Sequence, residues 1–447
     1  MDTLLEGGLV VTCDADDRVI AGDILVRGQE IASVGSSGGP RGNAVRPPVR
    51  VLDARGCAVI PGLVQAHVHL CQTLMRGMAD DLPLLDWLRT RIWPLEAAHD
   101  ERSMVASAEL GLTEMMLAGT TTILDMGSVR AQGAVMDACV RAGIRALSGK
   151  AMMDTGDGVP AGLRESTRAS LDESERLAHT WRGSGDGRIG YAWAPRFILT
   201  CTEDLVRGAV ERANAKGDLL HTHAAEHADE RDAVRRALGD DDVAVLRRWG
   251  FAGPRAVLAH GVQLRDDEAI VIAREGTRVV HCPSANLKLG SGIARVADLD
   301  RMGVALALGS DGAPCNNTLD PWIELRHAAL LANVRCGVAS LPARRALKLA
   351  TIDGARALGL GEAIGSIEQG KRADLVVVRI DGAHAEPGGD VFSRLVYACG
   401  ARDVRHVLVD GEIVVKDGAH RRFDAERVKA NARVEARRLA ARAHAKA

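Results

Sequence analysis

The sequence predicts an α/β protein in which a closed, TIM-like (β/α)8 barrel carries a small β-sandwich domain built from both chain ends. The middle of the chain alternates eight apolar, strand-like runs with amphipathic stretches whose apolar residues recur at helical spacing. Short β-type segments separated by Gly and Asp turns fill about the first 55 residues and return near the C-terminus. Polar residues end the central apolar runs, and barrels of this type place their chemistry at that end of each strand.

The β segments at the two chain ends are assigned to one small domain. Before the barrel they are GLVVTCD, DILVRGQEIASVG and VRVLDA, and after it they are ADLVVVRI and VRHVLVDGEIVVKDG. We therefore expect residues 1–57 and 365–420 to form this domain, with a Gly- and Pro-rich loop at residues 36–48. Residues 421–447 are rich in Ala and Arg, which favours a solvated or docked helix over a site for an acidic partner.

The barrel is expected over residues 58–364. Its eight strands are predicted from the runs LVQAHVHL, TTTILDMGS, RALSGKAMMD, RIGYAWAPR, GDLLHTHAAE, RAVLAHGVQ, TRVVHCPS and VALALGSDG. The helical stretches between them include SMVASAELGLTEMMLAG and EDLVRGAVERANAKG. Eight strands with intervening helices are the number that closes a parallel barrel.

The composition indicates an enzyme that acts on a small molecule. The 447 residues are 47% hydrophobic, enough for a large core, and the net charge of −2 comes from interspersed charges of both signs. This balance argues against a nucleic-acid or membrane partner. The nine cysteines include no CxxC pair, which favours a reducing compartment. We see no leader-like N-terminus and no apolar run of about 18 residues, so a cytoplasmic protein is expected.

Four of the predicted strands end in residues that bind metal ions in proteins. His67 and His69 are one residue apart, which places both imidazoles on the same face of the first strand. His223, His260 and Asp311 end the fifth, sixth and eighth strands. Three histidines and one carboxylate with room for a water form an open catalytic site that suits Zn²⁺, and Fe²⁺ or Mn²⁺ would accept the same ligands. His260 is either a ligand or a residue that hydrogen-bonds the reacting water.

Glu226 and Asp311 are the candidate acid and base. Glu226 follows His223 by three residues, so its carboxyl can face the same pocket and shuttle protons. The alternative for Glu226 is a helix-start residue stabilised by the helix dipole. Asp311 is interpreted as a metal ligand and a base for the water, and its alternative is a helix cap.

Three further histidines near the strand ends are assigned structural roles. His221 is expected to point to the opposite face of the fifth strand from His223. His227 and His281 are the other two.

Several ordered motifs resemble those of the amidohydrolase superfamily, in its purine and s-triazine deaminase branch. They are PGLVQAHVHL, RGMADDLPLLDWLRTRIWPLEAAHD, HTHAAE, LAHGVQL, HCPSANLKLGSG, LGSDGAPCNNTLDPW and IGSIEQGKRADLVVV, and together they extend over nearly the whole chain. The sequence looks most like the deaminases of 5′-deoxyadenosine, 5-methylthioadenosine and S-adenosylhomocysteine. The resemblance implies a homo-oligomeric enzyme that deaminates an adenosine-type nucleoside at C6 to the inosine analogue and ammonia.

The resemblance also implies roles for individual residues. Glu226 would be the proton shuttle, and His260 would orient the hydrolytic water. Glu96, in WPLEA, would accept hydrogen bonds from the ribose hydroxyls; without the resemblance it is equally well a solvated helix residue. The zinc ligands would be His67, His69, His223 and Asp311.

Two positions depart from the methylthioadenosine and adenosylhomocysteine pattern. Arg196, in APRF, stands where those enzymes have a histidine, and Lys150 stands where they have an arginine that pairs with the homocysteine carboxylate. A lysine lacks the bidentate geometry of arginine, so a nucleoside with an uncharged 5′ group is favoured. Because Arg196 cannot be carboxylated like the bridging lysine of binuclear relatives, one metal ion is expected.

Alternatives to nucleoside deamination remain open at the level of sequence. APRF also resembles the equivalent motif of guanine deaminases, which keeps a free purine base as a candidate substrate. Hydrolysis of an s-triazine would use the same ligands with a different leaving group. A catalytically inactive barrel that acts as a scaffold is the remote alternative, since such proteins usually lose metal ligands that this chain retains.

Overall fold

The protein is described by a computed structural model that covers residues 2–36 and 49–446. The model confirms the predicted fold class. A nearly closed ring of parallel strands forms the barrel, and a second, mostly antiparallel sheet combines strands from both chain ends. Apart from Ser36, the loop predicted at residues 36–48 lies outside the described residues.

Eighteen strands lie within the described ranges and are numbered in chain order. They are β1 (Asp2–Val11), β2 (Val19–Arg27), β3 (Glu30–Ser36), β4 (Val49–Asp53), β5 (Cys57–Pro61), β6 (Leu63–Val68), β7 (Thr120–Asp125), β8 (Arg145–Ser148), β9 (Ala151–Met152), β10 (Ile189–Pro195), β11 (Leu219–Ala224), β12 (Ala256–His260), β13 (Arg278–His281), β14 (Ala305–Leu308), β15 (Leu375–Arg379), β16 (Val404–Val409), β17 (Glu412–Lys416) and β18 (Ala419–His420).

Seventeen α-helices occur in the same ranges. They are α1 (Leu84–Trp87), α2 (Trp93–Ala97), α3 (Glu101–Leu117), α4 (Gln132–Ala142), α5 (Thr167–Trp181), α6 (Glu203–Lys216), α7 (Ala228–Leu238), α8 (Asp242–Arg248), α9 (Asp266–Glu275), α10 (Pro283–Lys288), α11 (Val296–Arg301), α12 (Ala313–Asn316), α13 (Pro321–Cys336), α14 (Ala343–Leu349), α15 (Ile352–Ala357), α16 (Val391–Ser393) and α17 (Ala425–Lys446). Short 3-10 or π-helical segments cover Leu70–Met75, Leu88–Ile92, Ile198–Thr200, Arg394–Ala398 and Ala401–Asp403.

The barrel strands follow one another in the order β6, β7, β8, β10, β11, β12, β13 and β14, all parallel, and the short β9 pairs beside β10. The ring closes where Val68 bridges Asp311 and the Asp311 N–H donates to the His67 carbonyl oxygen at 3.1 Å. Gly309 permits this approach, because a Cβ there would lie 2.6 Å from the same carbonyl oxygen. Closure brings the carboxyl ends of the strands together at one mouth.

The small domain is built around a pairing between distant parts of the chain. β5, from the N-terminal segment, pairs antiparallel with β15, from the C-terminal segment. The sheet order is β18, β17, β16, β15, β5, β1, β2 and β3, with β4 added to β1. Leu375 to Val378 of β15 are fully buried, as expected for a strand at the centre of a sheet covered on both faces.

A buried ion-pair network joins the barrel to this domain. Arg145, at the start of β8, lies 3.1 Å from Asp374 and 2.6 Å from Asp410, both in the small domain. The backbone N–H of Asp410 donates to Asp374 at 2.8 Å, so the two carboxylates share partners. The charges therefore tie β8 directly to the start of β15 and the end of β16 in the second sheet.

The C-terminal helix α17 is docked on the barrel helices. Leu439 is fully buried on its inner face. Arg442 donates to the carbonyl oxygen of Ala98 at 2.8 Å and to the Ser103 hydroxyl at 3.0 Å, near the start of α3. Throughout residues 2–36 and 49–446, we find no helix with the length and apolar character needed to traverse a lipid bilayer.

Candidate metal centre

Strand ends at the barrel mouth bring the predicted ligands together. His67, within β6, and His69, just after it, both point inward, as their two-residue spacing predicts. Their Nε2 atoms lie 3.2 Å and 3.3 Å from the same oxygen, Oδ1 of Asp311. All three side chains are buried. The first and eighth strands therefore supply two nitrogens and an oxygen to one point.

His223, on β11, completes this group from across the barrel. Its Nε2 lies 3.2 Å from Nε2 of His69. Its Nδ1–H donates to the carbonyl oxygen of Arg196 at 2.6 Å, which leaves the Nε2 lone pair directed at the other ligands. Burial, as the largest cause, holds the pKa of His67, His69 and His223 below its ordinary value, so the imidazoles are neutral and able to bind a metal ion.

The donor set fits a divalent cation. The ligand atoms of four residues lie within 4.8 Å of one another; they belong to His67, His223, His260 and Asp311. Nε2 of His67 and Nε2 of His260 are buried without a hydrogen-bond partner among the described residues. Such orphaned nitrogens beside a carboxylate are satisfied by an ion of the zinc type.

His221 corrects one sequence prediction. It was expected to point away from His223, but its Nε2 lies 2.9 Å from Nδ1 of His67, inside the barrel. The expectation was wrong because side chains two apart on a strand share a face. Nε2 of His67 faces the cluster, so the Nδ1–H of His67 donates to Nε2 of His221. This hydrogen bond sets the tautomer and the orientation of the His67 imidazole.

Glu226 lies beside this cluster, next to His260. Oε2 of Glu226 is 3.5 Å from Nε2 of His260, and the same nitrogen is 3.9 Å from Oδ2 of Asp311. Burial first, and then the charge of Asp311, raise the pKa of Glu226 well above its ordinary value. Both His260 (φ 79°) and Asp311 (φ 62°) have left-handed backbone conformations, which are uncommon for residues with a Cβ and concentrate at functional sites.

A small, partly open cavity lies against this cluster. One wall carries the polar residues His69, His223, Glu226, His260 and Asp311. The other walls are formed by Gln72, Leu84, Trp87, Leu88, Trp93, Arg196, Phe197 and Thr200. The helical segment from α1 through the π-helical Leu88–Ile92 to α2 supplies much of this apolar surface. A polar end beside an apolar, aromatic body suits a flat heterocycle with an apolar substituent.

Two predicted substrate-binding residues form a buried pair. The guanidinium of Arg196 donates to Oε2 of Glu96, and Gln72 donates to Oε1 of Glu96 at 2.9 Å. Both members of the ion pair are buried. Arg196 and Gln72 line the cavity, whereas Glu96 does not. Glu96 therefore lies behind them with both oxygens already in contact.

Lys150 is not brought to the cavity. Its side chain is fully buried, and Nζ lies 2.9 Å from Glu165 and 2.9 Å from Glu173. The same ammonium donates to the carbonyl oxygen of Val129. Within the described residues, Lys150 is thus part of a structural ion-pair cluster outside the cavity lining.

His227 and His281 occupy positions outside the ligand cluster. His227 is the N-cap of α7, where its Nδ1 accepts the N–H of Asp229 at 3.1 Å. His281 ends β13 with its Nδ1 buried and without a partner among the described residues. Burial, followed by the charge of His260, lowers the pKa of His281 to about 3.

Three further residues contact the site and were not predicted. Gln72 binds Glu96, Asn286 accepts a hydrogen bond from Nδ1 of His260 at 2.9 Å, and the Cys315 thiol donates to Oδ2 of Asp311 at 3.1 Å. All lie within the motifs HVHLCQ, HCPSAN and SDGAPC, close to strand ends. Their position was therefore a usable signal, but amide and thiol side chains alone do not indicate a partner.

Comparison with known proteins agrees with this geometry. The chain matches the amidohydrolase family over residues 58–414. It is 39% identical to the 5-methylthioadenosine/S-adenosylhomocysteine deaminase of Halobacterium salinarum, with 99% of both chains covered. It is 35% identical to the 5′-deoxyadenosine deaminase of Methanosarcina acetivorans, with 99% of this chain and 100% of the relative covered. The crystal structure of an adenosine deaminase from Xanthomonas campestris with bound zinc is 34% identical, has a TM-score of 0.92, and covers 98% of this chain and 99% of that one.

Proposed function

The chain belongs to the amidohydrolase family and is a hydrolase of C–N bonds, and on this premise we propose that it deaminates an adenosine-type nucleoside to the inosine analogue and ammonia. One observation carries the proposal. Glu226 and Asp311 converge on Nε2 of His260, at 3.5 Å and 3.9 Å, beside a cluster of metal-binding side chains at one end of a cavity. A proton donor, a proton acceptor and a metal site thus surround one reacting position.

The proposed metal is one Zn²⁺ ion per chain, and Fe²⁺ or Mn²⁺ fits the same donors. A divalent ion at this position would lower the pKa of a water molecule and so supply a nucleophile at neutral pH. The bound zinc of the similar adenosine deaminase structure supports the choice of metal. The proposed ligands are His67, His69, His223 and Asp311. The group within 4.8 Å has His260 in place of His69, but Nε2 of His69 lies 3.2 Å from Nε2 of His223 and 3.3 Å from Oδ1 of Asp311, which supports its inclusion.

The chain's own residues would move the protons. Glu226, whose raised pKa favours the protonated form, would protonate the ring nitrogen next to C6 and make that carbon electrophilic. His260 would orient the attacking water, and Asp311 would accept its proton. Attack at C6 and proton return to the exocyclic nitrogen would release ammonia. Both halves of the barrier, a weak nucleophile and a stable aromatic ring, are addressed in one site.

The cavity supports a substrate with an uncharged 5′ group. The carboxylate of an adenosylhomocysteine would need a free cation, but Arg196 is paired with Glu96, and Lys150 is paired with two glutamates outside the cavity. The apolar wall, which includes Trp87 and Trp93, instead suits a 5′-deoxy or 5′-methylthio group. Glu96 lies behind Arg196 and Gln72 and outside the cavity lining, so its contact with the ribose hydroxyls stays a prediction.

A substrate panel tests this proposal. Zinc-reconstituted protein would be incubated with 5′-deoxyadenosine, methylthioadenosine, adenosylhomocysteine, adenosine and guanine, and kcat/KM followed by ammonia release. We expect the nucleosides with uncharged 5′ groups to be deaminated fastest. Preference for adenosylhomocysteine would contradict the 5′ argument, and activity on guanine alone would contradict the nucleoside assignment while leaving the deaminase chemistry intact.

The cellular setting forms part of the proposal. The nine cysteines are all free and eight are buried, which supports a reducing, cytoplasmic location. Val334 and Val338 are 76% and 91% exposed, which supports a homo-oligomer that covers them. The domain division at residues 57/58, 364/365 and 420/421 stays a prediction, and limited proteolysis would test it.

A further inference from the structure

We propose that Glu230 and Asp242 are positioning residues that hold the turn from Ala225 to His227, and through it the carboxyl group of Glu226. The proposal rests on the proposed function of Glu226 as the proton shuttle. Neither Glu230 nor Asp242 lines the cavity, so both act through the backbone.

Three successive backbone N–H groups of the turn each bind a buried carboxylate. Oδ2 of Asp242 accepts the N–H of Ala225 at 2.5 Å. Oε2 of Glu230 accepts the N–H groups of Glu226 and His227 at 2.9 Å and 3.2 Å. Both acidic side chains are 0% exposed.

Helix capping explains only one of these bonds. Glu230 is the third residue of α7, and its bond to the N-cap residue His227 is half of a capping box. The bonds to Glu226 and Ala225 lie before the helix begins, where a capping box places none. Asp242 comes from the start of a different helix, α8, so two elements converge on the turn.

The carbonyl groups at the start of the turn are also hydrogen-bonded, by the segment that follows His260. The Gly261 N–H donates to the Ala224 carbonyl oxygen at 3.1 Å, and the Gln263 N–H donates to the Ala225 carbonyl oxygen at 2.8 Å. Ala225 has a φ of 52°, in the left-handed region that residues with a Cβ avoid. Local preference therefore does not set the shape of the turn; its partners on both sides do.

Buried acids at these positions are costly if they serve packing alone. Burial, as the largest cause, raises the pKa of both Glu230 and Asp242. Arg231 is the nearby cation, 3.7 Å from Oδ1 of Asp242, but its closer partner is Glu268 at 2.6 Å. An apolar side chain of the same size would avoid these costs, whereas only an oxygen acceptor can hold the turn.

The functional consequence is the placement of Glu226. Its Oε2 lies 3.5 Å from Nε2 of His260, at the reacting position. Gly261 and Gln263 are one and three residues after His260, so the same turn also contacts the segment that carries the second catalytic side chain. A displacement of about 1 Å in such a group can lower the rate about 10²-fold.

The test compares two neutral replacements of equal size. Glu230→Gln keeps an oxygen that accepts both N–H groups, while Glu230→Met fills the same volume without an acceptor. We expect E230Q to keep kcat within about threefold and E230M to lose about 10²-fold in kcat, with KM and bound metal unchanged in both. Asp229→Ala, an exposed acid in the same helical turn, is the matched control and should retain full activity.

The outcomes separate this inference from the proposed function. A folded, metal-loaded E230M with normal kcat would overturn the inference, and equal loss in E230Q and E230M would do the same. Normal activity of Glu226→Gln would instead overturn the shuttle role itself. If E230M does not fold, amide hydrogen exchange is measured in E230Q and in the unaltered protein instead. We expect slow exchange at the N–H groups of Glu226 and His227. Exchange as fast as in the Gly239–Asp240 turn would contradict the positioning role of Glu230.

Discussion

Oδ1 of Asn286 lies 2.9 Å from Nδ1 of His260, and both side chains are buried. A carbonyl oxygen can only accept, so the proton of the neutral imidazole is on Nδ1. Nε2 is then left as an acceptor at the reacting position, where it can receive a hydrogen bond from the attacking water. Asn286 thus decides which nitrogen of His260 carries the proton, although it touches neither Glu226 nor a proposed metal ligand in the hydrogen bonds described.

Replacing Asn286 by leucine should lower kcat by roughly 10- to 100-fold, because the tautomer and orientation of His260 are no longer set. Leucine has a similar volume, so the fold should be retained. Asn286→Asp keeps an acceptor oxygen at the same place and is the matched control. Steady-state kinetics of both variants, with metal content measured in parallel, check the prediction; normal turnover by N286L would contradict the positioning role.

Glu226→Gln should retain the metal and lose at least about 10²-fold in kcat, the usual contribution of a general acid. Burial and Asp311 raise the pKa of Glu226, so the protonated form that donates persists to higher pH than in an exposed glutamate and is lost as pH rises through the raised pKa. The kcat of the unaltered enzyme should therefore fall at alkaline pH, as Glu226 loses its proton. The residual kcat of E226Q should not show this fall. The exposed Glu211→Gln serves as control. A pH–rate profile that is the same in E226Q and the unaltered enzyme would exclude this assignment.

His281 should make the protein less stable in acid. Its pKa is lowered to about 3 in the folded state, below the ordinary 6.5, so the unfolded chain binds one more proton between these values. The stabilising contribution is complete above about pH 6.5 and declines as pH falls, by about 1.4 kcal/mol per unit. Urea unfolding of His281→Gln and of the unaltered protein from pH 7 to 4 measures the difference. Parallel stability curves would refute the prediction.

Arg145 should contribute strongly to stability because it joins the barrel to the small domain. Arg145→Met leaves Asp374 buried without its cation and Asp410 with only the more distant Arg188 and Arg372, each at 3.9 Å, which we expect to cost about 3–5 kcal/mol. Arg55→Met is the control, since Arg55 and Asp53 form a pair whose side chains are 77% and 51% exposed, and such solvent-screened pairs contribute little to stability. Chemical denaturation of both variants measures the two losses in unfolding free energy. Equal losses would show that the buried network stabilises the protein no more than an exposed pair does.

Much of the candidate site was predictable from local pattern. His67 and His69 share a face because side chains alternate along a strand, and they meet Asp311 because parallel strands in a barrel end at one mouth. The wrong prediction for His221 has the same explanation. The period of two that was applied to His67 and His69 also puts His221 on the side of His223, where the structure has it.

The sequence by itself therefore determined the barrel, the small domain made from both chain ends and the strand-end ligands, because these depend on short-range periodicity and residue chemistry. Only the tertiary structure decided which partners the long side chains take. Arg196 meets Glu96 from 100 positions away, and Lys150 turns to Glu165 and Glu173 instead of the cavity. Such pairs depend on how helices and loops stack over the strands, and flexible charged side chains carry no periodicity that would reveal their partners.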